Sequence, residues 1–278
     1  MDTARVVQVD DITIPELKIF NESSETGLYH YNEPEPGLFI AESLKVATRA
    51  LDAGFEPTAL LIEEKIYEKE GSDLAERVLE KESCKVYIAP ERLLNRITGY
   101  NLTGGVLCAM MRKELPSVSE VCGGIKAVAV LENVMNPTNV GAIVRSAAAL
   151  GMDAVLFTKG CADPLYRRAI RVSMGNIFQI PWTFLPEGRE IECLKEIGFT
   201  TVAMALRNDT VGIDDRRLKK ADKLAVFLGS EGEGLLPETI EKCDFCVKIP
   251  MYHDADSLNV AAASAVAFWE LSGKQKLF

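Results

Sequence analysis

Residues 126–145 read Lys126-Ala-Val-Ala-Val-Leu131-Glu132-Asn-Val-Met-Asn136-Pro-Thr-Asn139-Val-Gly141-Ala-Ile-Val-Arg145. The opening apolar run does not alternate with polar residues, which suits a strand covered on both faces, as in a parallel sheet. A polar loop follows, then a small-residue helix that Gly151 stops. Strand, loop and helix in that order are a unit of an α/β fold. Open parallel sheets bind ligands beyond the carboxyl ends of their strands, so this loop is a candidate site. Asn139 suits the helix N-cap, and Gly141 leaves room for another backbone at the first turn. Arg145 lies among Ala142, Ile143, Val144 and Ala147 to Ala149. An arginine in so apolar a helix calls for a carboxylate or an anionic ligand, the alternative being a head that simply reaches water.

Further strands are expected at 154–157, 180–184, 200–204, 224–228 and 245–249, with helices between most of them. The strand at 224–228 runs into Leu228-Gly229-Ser230-Glu231-Gly232-Glu233-Gly234-Leu235. Its glycines are not in dinucleotide-binding order, and the chain has no phosphate-loop pattern. Glu231 and Glu233 would repel a pyrophosphate, which disfavours NAD and ATP and tolerates a cationic or zwitterionic ligand; the plain alternative is a glycine turn. The third such loop is Ile249-Pro-Met251-Tyr-His-Asp-Ala-Asp-Ser257-Leu258-Asn259-Val-Ala-Ala-Ala263. Ser257 is a good N-cap for a helix expected over 258–271. Asn259 is an unfavourable choice inside that first turn, so its amide either has something to bind or is solvated.

The N-terminal part is a smaller α/β unit. Strands are expected at 38–40, 58–62, 85–89 and 105–111, with helices at 42–53, 73–81 and 91–97, beginning as a β-α-β arrangement. Residues 1–36 are polar and rich in turn formers, which predicts an irregular lead-in. A break at 116–124 divides the chain into domains 1–115 and 116–278.

With 278 residues, two domains each have enough chain for a core. No apolar run approaches the ~18 residues of a membrane span and no secretory leader opens the chain, so a cytoplasmic protein is expected. Seven scattered cysteines fit reduced thiols. Cys243 and Cys246 have CxxC spacing without a second pair, and we take them as core residues, with no metal expected. The net charge is −10; residues 1–115 carry 13 basic and 21 acidic side chains, and residues 116–278 carry 18 and 20. Phosphate binding draws on Lys and Arg, so any nucleic-acid site must use local clusters. Arg167, Arg168 and Arg171 form one, and Arg216, Arg217, Lys219, Lys220 and Lys223 another, although a solvated face is the commoner origin of such runs.

The three loops in this order and spacing, NPTNVGAIVR, FLGSEGEGL and IPMYHDADSLNVAAA, resemble the three motifs of the SpoU (TrmH) branch of the SPOUT methyltransferases. Tyr166-Arg-Arg-Ala-Ile-Arg-Val-Ser-Met-Gly175 is similar to the family as well, and the likeness covers roughly residues 125 to 275. It implies a parallel α/β domain whose C-terminal segment is threaded as a deep trefoil knot. It also implies S-adenosylmethionine as cofactor, held largely by backbone groups at Leu228, Gly229, Ile249, Met251, Ser257 and Leu258.

The same resemblance makes the reaction methylation of a ribose 2′-hydroxyl in ribosomal or transfer RNA. Arg145 would be the catalytic arginine, with Asn139, Glu231, Ser257 and Asn259 shaping the site. It further implies a homodimer in which Arg167, Arg168 and Arg171 contact RNA, completing a partner's site. The N-terminal unit, through Gly37-Leu-Phe-Ile-Ala-Glu-Ser43, resembles the ribosomal-protein-like domain that such enzymes use for substrate recognition. It departs from the pattern at Gly104, where relatives commonly carry glutamine, and in its acidic charge. Two other classes compete. One is an RNA-binding protein that keeps the fold without turnover, opposed by the intact Arg145, Glu231, Ser257 and Asn259. The other is a nucleotide-dependent oxidoreductase or transferase, opposed by the missing phosphate fingerprint.

Overall fold

The computed structural model describes residues 3–21, 24–34, 36–102, 104–207, 209–253 and 256–272, so Asp254 and Ala255 of the third motif lie outside the described residues. The chain forms two units, Met1–Glu114 with Leu165–Phe178, and Leu115–Pro164 with Gln179–Phe278. Among the described residues no helix is long and apolar enough to cross a membrane.

The first unit is built on β1 (Val6–Gln8), β2 (Leu38–Glu42), β3 (Pro57–Glu63), β4 (Lys85–Ala89) and β5 (Val106–Met111), in the spatial order β1-β4-β3-β5-β2. β1, β4 and β3 are parallel, whereas β5 runs antiparallel to both β3 and β2. The β-α-β start expected from periodicity is present as β2, the helix Leu44–Asp52 and β3, two parallel strands between which β5 enters. The described residues of the expected irregular lead-in, 1–36, are not irregular. β1 extends the sheet edge, and Leu17, Phe20 and Leu28 are buried in the same core as Ile40, Leu61 and Leu107. Those three side chains sit in helical segments of three to five residues, too short to show a period.

The units part between Glu114 and Leu115, next to the expected break, but one later segment changes sides. Leu165–Phe178 packs with the first unit although it falls inside the expected 116–278 domain. Phe178 packs tilted against Phe39 and edge to face against Phe55, with ring centroids 5.6 and 5.2 Å away. Arg49 Nη1 donates to the Met174 carbonyl at 2.7 Å and to Asn176 Oδ1 at 2.9 Å. Glu42, only 2% exposed, accepts from Tyr100 Oη at 2.5 Å and from Arg171 Nη1 at 3.1 Å, with Arg167 Nε 3.6 Å away. Arg171 lies over the Tyr100 ring at 4.9 Å. Burial, and then the Glu42 carboxylate, push the Tyr100 phenol up to about 12.

The second unit is a wholly parallel sheet of β6 (Ala127–Leu131), β7 (Ala154–Phe157), β8 (Trp182–Phe184), β9 (Thr200–Met204), β10 (Val211–Gly212), β11 (Leu224–Leu228) and β12 (Phe245–Lys248), ordered β10-β12-β9-β11-β6-β7-β8. Every residue of β6, β7 and β11 is buried, as their unbroken apolar runs require. The helix Pro137–Leu150 starts two residues before Asn139. Asn136 caps it, its side chain accepting from Thr138 N at 2.9 Å, and Pro137 fixes the first turn. Asn139 is thereby carried into the helix and buried. The last helix runs Val260–Leu271 with Asn259 as N-cap, so the expected cap at Ser257 is also corrected: Asn259 Oδ1 accepts from Ala261 N at 2.9 Å. These two helices pack along each other.

Candidate active site

β9, β11 and β6 are adjacent and parallel, so the loops leaving their carboxyl ends emerge side by side, and β12 adds its own next to β9. Between these loops lies a cavity of about 410 Å³. Its walls are the end of β9 from Met204 to Arg207, the loop from Leu228 to Leu235, Lys248 and Ile249 after β12, and Met251, Asp256, Ser257 and Leu258. That volume falls in the range of small-molecule sites.

Leu228–Leu235 closes on itself to form one wall. Ser230 and Gly234 exchange backbone hydrogen bonds at 3.1 and 3.2 Å. A Cβ on Gly229 would lie 2.1 Å from the Gly234 carbonyl carbon, so only glycine permits this closure. Glu231 and Glu233 are carried at the exposed end, and both line the cavity together with Asp256. Of the two cationic side chains on the wall, Arg207 is paired with Asp209 at 2.8 Å. Three carboxylates suit a ligand with positive charge and oppose a polyphosphate.

Asn259 joins the three motifs. Its Nδ2 donates to Glu231 Oε1 of the second and, at 3.4 Å, to Asn139 Oδ1 of the first, while its Oδ1 caps the helix of the third. Its amide is fully engaged, and the solvated alternative is set aside. Gly141 is buried in the same helix turn as Asn139.

Arg145 lies on the exposed side of its helix, and its side chain has no hydrogen bond or ion pair among the described residues. It is six residues beyond Asn139, about 120° around the helix, and does not line the cavity. Of the arginines expected to touch RNA, Arg167 and Arg171 belong to the other unit, where Glu42 holds them; Arg168 is exposed. In the second basic run, Arg217 is paired with Asp215 and Lys219 with Glu270. Cys243 and Cys246 are half-buried free thiols, and burial pushes Cys243 up to about 12.

Two features were missed in the sequence. Met204 to Arg207 belong to the wall because β9 is the sheet neighbour of β11, a pairing that strand patterns do not reveal. Glu132, at the end of β6, is 4% exposed and accepts from Leu236 N at 2.7 Å and from Thr239 Oγ1 at 2.5 Å. A carboxylate closing a wholly apolar strand was the available signal.

Comparison with known proteins places this site in a class. Residues 126–269 match the SpoU rRNA methylase family. The chain is 39% identical over 235 residues to an uncharacterized tRNA/rRNA methyltransferase of Mycobacterium bovis, covering 84% of this chain and 80% of that protein. It is 28% identical to the 23S rRNA (guanosine(2553)-2′-O)-methyltransferase of Bacillus subtilis, over 72% of this chain and 82% of that one. The structure superimposes on an AdoMet-bound rRNA methyltransferase from Sinorhizobium meliloti with a TM-score of 0.82 at 24% identity, covering 99% of both chains, which establishes a common fold. The chain belongs to the SpoU family of RNA methyltransferases.

Proposed function

We propose that this protein transfers a methyl group from S-adenosylmethionine to a ribose 2′-hydroxyl of RNA, with ribosomal RNA the first substrate to test and transfer RNA the second. The observation that carries the reading is the acid-walled cavity at the carboxyl ends of β9, β11 and β12, closed by a loop that only glycine at 229 permits. The residues fit the cofactor. Leu228, Met251 and Leu258 offer apolar surface, the loop and Ile249 offer backbone groups, and Glu231, Glu233 and Asp256 favour a sulfonium over a phosphate. When bound, the cofactor supplies an electrophilic methyl.

The protein's own work is alignment and charge control. Asn259, held by Glu231 and Asn139, fixes the third motif against the other two. Arg145 is exposed and free of protein anions, so it is available to an RNA phosphate and to the oxygen on which negative charge develops. A free arginine keeps its proton, so we assign proton removal to a neighbouring group or to the phosphate. Arg168 provides a second phosphate contact. The names of the mycobacterial and Bacillus relatives support the RNA substrate, and the latter supports the 2′-oxygen.

We read the active form as a cytoplasmic homodimer paired through the last helix, whose Ala262, Val266 and Trp269 are exposed on one side. The insertion of β12 between β10 and β9 supports the family's knotted threading. The test is calorimetric titration with S-adenosylmethionine, NADH and ATP, followed by incubation of methyl-labelled cofactor with total RNA from a strain lacking the gene. The expected result is binding of S-adenosylmethionine alone and label in a 2′-O-methylnucleoside. Tight RNA binding without label would identify a protein that keeps the fold but not the turnover.

A further inference from the structure

We infer that Glu132 is a positioning residue for the cofactor loop: its buried carboxylate grips the chain just after that loop and holds the loop against the carboxyl end of β11. The inference rests on the proposed cofactor site.

The geometry is specific. Glu132 follows β6 directly, and its own N–H donates to the Leu228 carbonyl at 2.9 Å, which fixes its backbone to the residue where the loop begins. Its side chain reaches the far end. One oxygen accepts from Leu236 N at 2.7 Å and the other from Thr239 Oγ1 at 2.5 Å. One residue therefore clamps both ends of Gly229–Leu235, the segment whose backbone lines the cavity. Loop closure between Ser230 and Gly234 brings its ends together. The Glu132 bonds add to the burial of Leu235 and to the Asn259–Glu231 bond in fixing the closed loop, and they alone join both of its ends to one residue at the end of β6 among the described residues.

The chemistry chosen is costly for a structural filler. Burial raises the Glu132 carboxyl above its ordinary value, with Glu190 and Glu238 adding to the rise and the bonds from Thr239 and Leu236 opposing it. A glutamine would fill the same volume without a buried charge. Its oxygen could still accept from Leu236 N and its NH₂ donate to a turned Thr239 hydroxyl, so glutamine keeps a neutral version of the clamp, whereas leucine, of similar volume, accepts neither bond. Only the carboxylate accepts from both ends of the clamp, and hydrogen bonds to an ionised acceptor are the stronger kind.

The experiment uses the full chain as wild type, Glu132→Leu and Thr239→Val. Hydrogen exchange without ligand reads the loop directly. In Glu132→Leu the amides of residues 229–236 should exchange at least tenfold faster while those of β6 and β7 stay at the wild-type rate. Thr239→Val, which keeps the Leu236 bond, should show a smaller change in the same direction. Titration with S-adenosylmethionine should show about tenfold weaker binding by Glu132→Leu, with KM for RNA within twofold of wild type. Wild-type exchange in the loop of both variants, or unchanged cofactor affinity in a variant whose loop has loosened, overturns the inference. If Glu132→Leu does not fold, Thr239→Val decides on the same readings. If wild type binds no S-adenosylmethionine, the proposed function fails, while the exchange rates still decide whether Glu132 holds the loop.

Discussion

Gly229 shows how much of the site depends on a missing atom. The Ser230–Gly234 closure brings backbone to within 2.1 Å of where a Cβ would stand, and backbone cannot swing aside as a side chain can. Gly229→Ala should therefore open the loop, weakening S-adenosylmethionine binding more than tenfold by calorimetry and costing about 1–3 kcal/mol of stability. Arg145 predicts the opposite pattern, because it stands outside the cavity. Arg145→Lys should leave cofactor affinity within twofold and lower turnover at saturating RNA at least tenfold; near-native turnover would remove any specific arginine role in the chemical step. Glu132 carries a pH signature. Its folded-state pKa is raised, so the folded chain holds the proton more tightly than the unfolded one. Its contribution to stability is then greatest below the ordinary carboxyl value and is lost as pH rises through the folded value. Glu190 and Glu238 face it and add to the rise, while the neighbouring Cys243 thiol, pushed up to about 12, stays neutral over this range. The melting temperature of Glu132→Gln should gain on that of wild type between pH 4.5 and pH 7.

At the scale of elements, the helix Arg167–Val172 is where an interaction face expected from sequence became internal structure. Three arginines on one short helix read as a phosphate-binding surface, yet Glu42 takes two of them from 2% exposure. Glu42→Ala would strand Arg171 and Tyr100 without their acceptor and should destabilise the fold by about 3–5 kcal/mol in chemical denaturation. The helix Val260–Leu271 keeps the opposite character, with Val266 41% and Trp269 60% exposed. Trp269→Glu should convert a dimer to a monomer by light scattering at micromolar concentration, and a wild-type monomer would remove the proposal.

What was legible in the sequence follows from the range of the signal. The apolar runs of β6, β7 and β11 and the glycine loop are written in consecutive residues, so their form and place could be read. Asn139 and Ser257 were both assigned as caps and neither is one, because Pro137 and the Asn259 side chain settle the helix starts locally. The hold of Glu132 on Leu236 spans 104 residues and that of Arg171 on Glu42 spans 129. No periodicity records pairings of that reach.

The whole molecule poses the question of how an acidic protein, with net charge −10, approaches RNA. Part of its positive charge is taken up in intramolecular ion pairs. Arg207 faces Asp209, Arg217 faces Asp215, Lys195 faces Asp244 and Lys242 faces Glu192, at 2.7 to 3.0 Å. In the second unit Lys126, Arg145, Arg216 and Lys220 are exposed and without such partners among the described residues. Few phosphates can then be neutralised directly, and the bulk charge repels the rest. Each phosphate neutralised contributes about −0.7 to −0.9 to the slope of log K against log salt. Filter binding between 50 and 200 mM salt should therefore give a slope no steeper than about −4, with Arg145→Ala making it shallower by about one. Affinity that depends so little on salt must draw on shape and on hydrogen bonds to sugar and base, so selectivity among RNAs should survive at ionic strengths that strip a basic RNA-binding protein. A slope of −6 or steeper would mean that the internal ion pairs open to meet the backbone, and the acidic surface would then be no guide to the bound state.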